Sequence, residues 1–201
     1  MKHIVKHLSK DPVMAAIIKR VGPFAMAYRD PTFEALVRSI VSQQLSTKVA
    51  QVIFGRLAAA MKGREMTPEN ILRLRLTTMR KLGLSGQKTE YIRSLARHAQ
   101  DGSLPLESLL QMDDEAVIAR LVQVKGVGVW TAHMFLMFGL RRPNILAVGD
   151  LGVRQAIQRA YGLPEMPNPA EVERIAAGWR PHCSAACWYL WRSLENNNAI
   201  E

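Results

Sequence analysis

Apolar side chains recur along the chain with the three-to-four-residue spacing that predicts amphipathic helices. In one such stretch the apolar positions are Phe33, Leu36, Val37, Ile40 and Val41. Asp30 and Pro31 precede this stretch, and a capping residue followed by proline is typical of a helix N-terminus. We therefore predict a helix that begins at this pair and buries one face.

Further helix starts are predicted at five polar capping residues, namely Ser46, Thr67, Ser85, Asp113 and Asn168. Glu171 follows Asn168 by three positions, which is the form of a capping box. The helix after Ser46 has a predicted inner face made of Val49, Val52, Ile53, Leu57 and Met61. Only residues 144–148 favour a strand, and one isolated strand makes no sheet. The predicted fold class is all-α.

Composition adds the class of partner to this picture. The chain of 201 residues is 48% hydrophobic and carries a formal net charge of +10, with a pI of about 10.1. Such an excess of cations favours a polyanionic partner, although a basic surface kept for solubility has the same composition. The N-terminal segment has no apolar signal core and no stretch reaches membrane-spanning length. Two cysteines, Cys183 and Cys187, are too few for a disulfide framework, so we expect a reducing, cytoplasmic location.

The segment 121–132, with the sequence LVQVKGVGVWTA, is the most informative one. Gly126 and Gly128 allow a tight turn between two helices and a close approach of the backbone to another group. The N–H groups that open the second helix would then favour an anion such as a phosphate group. A plain corner between two helices explains the glycines equally well.

The whole pattern L-x-x-V-K-G-V-G-x-W-T-A resembles the helix-hairpin-helix motif of the DNA repair glycosylases. The resemblance extends to residues 36–49, residues 83–88 and the stretch from Trp179 to Trp191, and it is greatest to the 3-methyladenine DNA glycosylase II group. It implies a two-lobed helical fold with an active-site cleft between the lobes. Lobe one would be formed by about residues 33–130, and lobe two by about 1–32 and 131–201. It also implies a compact form that lacks the β-rich N-terminal domain of larger relatives.

In that superfamily a segment with proline and glycine leads to a catalytic aspartate, and here Pro143 and Gly149 lead to Asp150. Bifunctional members carry an attacking lysine on the second hairpin helix, at the position that Trp130 occupies here. The resemblance therefore implies a monofunctional enzyme whose carboxylate acts on the sugar. The alternative role of Asp150 is an ordinary cap of the helix that follows it.

The resemblance also implies a pocket for the damaged base and a residue that fills the gap left in the duplex. Trp130, Trp191 and Met134 match the pocket positions, where an aromatic surface suits a cationic base. Leu45 matches the wedge, with Gln43 and Gln44 beside it. Trp191 lies three residues after Trp188 and could simply fill the core, and core packing is also the competing role for Leu45.

Contacts with the DNA backbone are expected at Lys125, Gly126, Gly128 and Thr131. The resemblance also implies that the hairpin holds Na⁺ or K⁺ through the main-chain carbonyls of Val122, Val124 and Val127. No cofactor is expected to be required, and Cys183 and Cys187 cannot by themselves complete the four-cysteine iron–sulfur site of some relatives.

The function predicted from the sequence is hydrolysis of the N-glycosidic bond of alkylated purines in double-stranded DNA, by a monomer with no membrane partner. Two alternatives stay open. One is a helix-hairpin-helix glycosylase for oxidised or mismatched bases, and the other is a non-catalytic DNA-binding module.

Overall fold

The computed structural model describes residues 2–195, and within that range it is helical with no strand. Twelve α-helices are present there: α1 Lys2–Leu8, α2 Pro12–Val21, α3 Phe33–Ser42, α4 Thr47–Ala60, α5 Pro68–Arg73, α6 Leu76–Lys81, α7 Gly86–Gln100, α8 Asp114–Leu121, α9 Val129–Met134, α10 Leu151–Tyr161, α11 Pro169–Ala176 and α12 Cys183–Glu195. A π-helical turn, Phe135–Gly139, continues α9, and 3₁₀ turns occupy Leu106–Gln111 and Ala177–Trp179. The all-α prediction is confirmed. No helix in the described range is long and apolar enough to cross a membrane.

The chain forms two compact units. Unit 1 comprises Met1–Tyr28 and Arg141–Glu201, and unit 2 comprises Arg29–Leu140. In unit 1, α12 packs against α2 and α10, and its first eight residues are all buried. A helix that is buried nearly all round can carry apolar residues on every face, which explains the sequence CSAACWYL at this point.

Unit 2 is organised around α7, which packs against α3, α5 and α6. Its inner face presents Ile92, Leu95 and Ala96, all of which are fully buried. Ser85 caps this helix by accepting a hydrogen bond from the Lys88 amide at 3.1 Å. The predicted starts at Ser46, Thr67, Asp113 and Asn168 are also confirmed, and Asn168 and Glu171 form the predicted capping box.

The start of α3 differs from the prediction. The capping residue is Thr32, whose Oγ1 accepts a hydrogen bond from the Ala35 amide at 3.2 Å, and the helix begins at Phe33. The Asp30-Pro31 pair lies before the cap. Thr32 is a capping type in its own right and stands three residues from the amide that it satisfies, so the proline was a misleading signal.

The predicted inner face of α4 is partly wrong. Val49 and Val52 are 45% and 48% exposed, whereas the buried positions are Ala50, Ile53, Phe54, Leu57 and Met61. This second set also follows the i, i+3, i+4, i+7 spacing of a helix face. Because both sets satisfy the same period, the sequence pattern could not choose between them.

Candidate functional site

Asp150 is the N-terminal cap of α10. Its Oδ1 accepts a hydrogen bond from the Val153 amide at 2.7 Å, and the residue is only 9% exposed. The role as a cap that the sequence left open is therefore real. It does not compete with a catalytic role, because a capping carboxylate at a helix N-terminus is also held in one orientation beside the positive end of the helix.

Trp191 on α12 contacts this carboxylate directly. Its indole Nε1 donates a hydrogen bond of 2.7 Å to Asp150 Oδ1, and the ring is half-buried. Trp188 is instead a core residue, 9% exposed, with its ring 5.0 Å from that of Phe24. Trp191 therefore does more than fill the core, and its polar edge positions the aspartate.

Gly152 is a site residue that the sequence analysis missed. A β-carbon at this position would lie 2.9 Å from Trp191 Cδ1 and 3.2 Å from Asp150 Oδ1. Only a hydrogen atom therefore fits between the helix and the indole. The one sequence signal was a glycine two residues into a helix, where the low helix propensity of glycine needs a reason.

The segment that leads to Asp150 is not a strand, which corrects the assignment of residues 144–148. Some of its polar backbone groups bond to side chains of α12. Ser184 Oγ donates to the Arg142 carbonyl at 2.6 Å and accepts from the Ile145 amide at 3.0 Å, while Cys187 Sγ lies 3.9 Å from the Ile145 carbonyl. Side chains of a helix thus take the place that a neighbouring strand would have taken.

The two cysteines on α12 are free and buried. Burial raises the pKa of Cys183 to about 11 and that of Cys187 to about 12. Both thiols are therefore protonated at neutral pH and unreactive. Within residues 2–195 no group of three His, Cys, Asp or Glu side chains is placed to hold a metal ion.

The hairpin turn, defined here as residues 122–128, lies in unit 2 between α8 and α9. Gly126 has a φ of +86°, and a β-carbon there would run into the Tyr91 ring. Gly128 caps α9 with an ordinary φ of −94°, and a β-carbon there would meet nothing within 4 Å. The fold itself therefore requires glycine only at position 126, and it leaves room for a side chain at position 128.

The residues predicted to contact the DNA backbone differ in how exposed they are. Lys125 is exposed, with Nζ 3.8 Å from Glu90 Oε1, a weak surface pair. Thr131 is only 4% exposed, so its predicted contact with the DNA backbone stays a prediction for its main chain. Its amide still belongs to the first turn of α9, ahead of the first bond within that helix, which joins the Ala132 amide to the Gly128 carbonyl at 3.0 Å.

The predicted pocket residues of unit 2 lie one turn apart on α9 and include a large exposed aromatic ring. Trp130 is 48% exposed, and Met134 is half-buried. Their spacing of i, i+4 places the two side chains on one side of the helix. An indole so accessible in a protein with ample core is a candidate surface for ligand stacking.

The wedge turn, defined here as residues 43–46, joins α3 to α4. Leu45 is 36% exposed, so core packing does not explain it. Gln44 has a φ of +57°, a conformation that costs energy for a residue with a β-carbon. Gln43 turns inward, since its Nε2 donates to the Gly126 carbonyl at 2.9 Å. The Gln43 side chain, which is predicted to lie beside the wedge in DNA, therefore bonds to the hairpin turn of the protein itself.

Within residues 2–195 the protein is all-helical and contains a glycine hairpin and a capped aspartate, which is the arrangement that the resemblance to helix-hairpin-helix proteins predicted. The chain belongs to the HhH-GPD superfamily of base excision DNA repair proteins, whose pattern matches residues 37–181. It is 34% identical to DNA-3-methyladenine glycosylase 1 of Schizosaccharomyces pombe over 194 residues, which cover 93% of this chain and 85% of that protein.

Solved structures agree with this assignment. The structure of S. pombe 3-methyladenine DNA glycosylase Mag1 in complex with abasic DNA superposes with a TM-score of 0.84 at 33% identity, covering 94% of this chain and 95% of the other. A DNA-3-methyladenine glycosidase from Bacillus halodurans gives a TM-score of 0.85 at 33% identity, covering 96% and 89% of the two chains.

Proposed function

We propose that the protein is a monofunctional DNA glycosylase that hydrolyses the N-glycosidic bond of alkylated purines, of the 3-methyladenine and 7-methylguanine type. The observation that carries this proposal is the buried Asp150 carboxylate, which the Val153 amide and the Trp191 indole hold at the N-terminus of α10. The names of the relatives support the substrate class. We place the activity in the cytoplasm, on double-stranded DNA.

Asp150 is the residue that we assign to the chemistry. Breaking the bond between base and sugar builds positive charge on the sugar ring. A fixed carboxylate stabilises that charge without having to reorganise, and it can orient or activate the attacking water. The rigid position of Asp150 is what this role needs, because side-chain motion would weaken the interaction in the transition state.

We assign Trp130 to the binding of the damaged base, and we attribute the absence of strand cleavage to the same position. A purine alkylated at N3 or N7 is cationic, and cations are attracted to the face of an indole. Such a base also leaves readily, so the enzyme can dispense with a strong general acid. At the position of Trp130 the bifunctional relatives implied by the sequence resemblance carry lysine, and tryptophan cannot form the imine that leads to a strand nick.

The experiment is incubation of the protein with duplex DNA methylated by a simple alkylating agent, followed by chromatography of the released bases. We expect free methylpurines and strands that stay intact until alkali cleaves the abasic sites. No release would overturn the proposed function. Trapping of a covalent protein–DNA adduct by borohydride during turnover would overturn the monofunctional part. Release of only oxidised or mismatched bases, from duplexes that contain such bases, would favour the alternative glycosylase class.

The hairpin turn is proposed as the phosphate contact, and Gly128 offers a clean test. Because a β-carbon at Gly128 has room in the protein, Gly128→Ala should leave the melting temperature near that of the parent while weakening binding to undamaged duplex. Gly126→Ala cannot serve, since it would clash with Tyr91. Unchanged binding by Gly128→Ala would show that the backbone of the hairpin is not the anchor.

We further propose that Na⁺ or K⁺ binds to the carbonyl oxygens of Val122, Val124 and Val127. Val122 caps the C-terminus of α8, where the helix dipole favours a cation. The Val124 carbonyl accepts a bond from the Val127 amide at 2.9 Å, and a carbonyl oxygen has a second lone pair. The melting temperature should then rise in KCl or NaCl relative to choline chloride at equal ionic strength. Equal melting temperatures would contradict the site.

A further inference from the structure

Lys88, on the first turn of α7, lies against the end of α3. Its Nζ donates to the carbonyls of Val41 and Gln43, both at 2.6 Å. The last carbonyls of a helix have no partner within the helix, and an ammonium group there also complements the dipole. Short charge-assisted bonds of this kind are among the stronger ones in proteins. Lys88 therefore fixes the backbone at the start of the wedge turn.

The wedge turn is also bonded directly to the hairpin turn. Gln43 contributes both groups, because its carbonyl accepts from Lys88 while its side-chain amide donates to the Gly126 carbonyl at 2.9 Å. The two turns lie 83 residues apart in sequence. A displacement of either turn would have to break or bend this bond.

The same helix that carries Lys88 supports the hairpin turn. Tyr91 fills the space beside Gly126, and Ser94 Oγ accepts from the Lys125 amide at 3.2 Å. Positions 88, 91 and 94 are separated by three residues each, so they follow one side of α7. One helix therefore holds both turns through a row of three side chains.

We propose that this row couples the two turns, with Lys88 as the positioning residue that holds the wedge turn ready to enter the duplex once the hairpin turn has bound the backbone. The inference rests on the assignment of the wedge turn and the hairpin turn under the proposed function. It adds that the wedge needs no DNA contact from Lys88, and that the strained Gln44 conformation is kept by the bonds that Gln43 makes immediately before it.

The test uses the whole protein and a duplex that carries a tetrahydrofuran abasic site next to 2-aminopurine, whose fluorescence rises when a wedge unstacks it. No base is cut, so the readout is independent of catalysis. We compare the parent with Lys88→Met, Lys88→Arg and Gln43→Met. The exposed Lys81 supplies Lys81→Met as a control that loses the same charge.

We expect Lys88→Met and Gln43→Met to lose at least half of the fluorescence rise at saturating protein, and Lys88→Arg to recover part of it. The double variant Lys88→Met/Gln43→Met should lose no more of the fluorescence rise than the worse single variant, because both side chains act through one element. Affinity for undamaged duplex should fall no further in Lys88→Met than in Lys81→Met, and its dependence on salt should match the parent.

If Lys88 contacted a phosphate directly, the log affinity of Lys88→Met would fall less steeply with log salt concentration than that of the parent, by about 0.9 in slope. That result would overturn the inference. So would a parent-like fluorescence rise in folded Lys88→Met, or no rise in the parent itself. If Lys88→Met does not fold, Gln43→Met and Lys88→Arg decide the question by the same criteria. In a further outcome the parent shows the fluorescence rise but releases no methylpurine, and the variants lose the rise. This outcome would refute the proposed function and leave the coupling standing.

Discussion

Two aspartates of unit 1 are built into the fold in similar ways and differ in their surroundings. Asp11 and Asp150 each cap a helix, and each accepts a hydrogen bond from a tryptophan indole. Asp11 Oδ1 accepts from the amides of Val13 and Met14 at 2.9 and 3.3 Å. Its Oδ2 accepts from the Trp179 indole at 3.1 Å and from the Tyr161 hydroxyl. At Asp150 the Val153 amide and the Trp191 indole both bond to Oδ1.

The surroundings separate the two. Trp179 is fully buried and Trp191 is half-buried, so the indole at Asp11 is a core residue while the one at Asp150 borders solvent. The family pattern covers residues 37–181, which includes Asp150 and excludes Asp11. A cap and an indole thus make a carboxylate rigid, and rigidity alone does not make it catalytic. Asp11 is therefore a natural control within the same molecule.

Replacing Asp150 should give the largest effect. Asparagine caps a helix about as well as aspartate and can still accept from Val153 and Trp191, so Asp150→Asn should melt near the parent. It has no negative charge for the sugar cation and is a poor base, so single-turnover release of 3-methyladenine should fall by roughly 10²–10⁴-fold. Asp150→Ala should also lose about 0.5–2 kcal/mol of stability.

The matching control is the binding of both variants to undamaged duplex, which should survive. 7-Methylguanine leaves more easily and should be affected less. If Asp150→Asn releases bases at the parental rate, Asp150 is a cap like Asp11 and the catalytic assignment is wrong.

Gly152 should give the second effect, because it separates positioning from chemistry. In Gly152→Ala the new β-carbon would displace the Trp191 ring and break its bond to Asp150. A misplaced carboxylate should slow release about tenfold, which corresponds to roughly 1.4 kcal/mol. Trp191→Phe removes the same N–H without a clash and should slow release similarly.

The control for this effect is Gly55→Ala on α4. A β-carbon at Gly55 meets nothing within 4 Å, so alanine should raise stability by about 0.5–1 kcal/mol and leave release unchanged. Parental rates in both Gly152→Ala and Trp191→Phe would show that the indole does not position Asp150, and would remove one half of the likeness to Asp11.

These predictions depend on features that the sequence revealed to different degrees. Caps such as Ser85 and Asn168 were predicted because a capping residue and the amide it satisfies lie three positions apart. Asp150 was singled out by a family resemblance; its alternative role as a cap is confirmed, and its catalytic role stays a prediction. The bonds from Trp191 to Asp150 and from Lys88 to Gln43 cross 41 and 45 residues, and no local pattern encodes them.

The errors have the same origin. Residues 144–148 favour a strand by their local pattern, whereas in the structure the Ile145 amide donates to the Ser184 side chain of α12. Val49 and Val52 follow a helical period that a second set of positions also satisfies. In each case tertiary packing made a choice that local spacing left open.

Asp11 should give the smallest effect, and it should be an effect on stability. Burial acts to raise the pKa of Asp11, but the hydrogen bonds from Tyr161, Trp179 and the two amides outweigh it and hold the pKa below its usual value. A carboxyl whose pKa is lowered by folding stabilises the protein above its unfolded pKa of about 3.9, and this contribution is lost as the pH falls through the lower folded pKa.

Asp11→Asn keeps the cap but loses the charge that the hydroxyl and the indole donate to. At pH 7 we expect a loss of about 1–2 kcal/mol, which for a protein of this size lowers the melting temperature by roughly 2–8 °C. Below about pH 4 the difference from the parent should shrink, because the parent then loses the same charge.

Thermal melting between pH 3 and pH 7 measures this, beside single-turnover release at pH 7 and a temperature where both proteins are folded. The release rate should match the parent, since no step of the chemistry is assigned to Asp11. A rate as low as that of Asp150→Asn, with a melting difference that does not depend on pH, would mean that the two aspartates do not divide stability and chemistry between them.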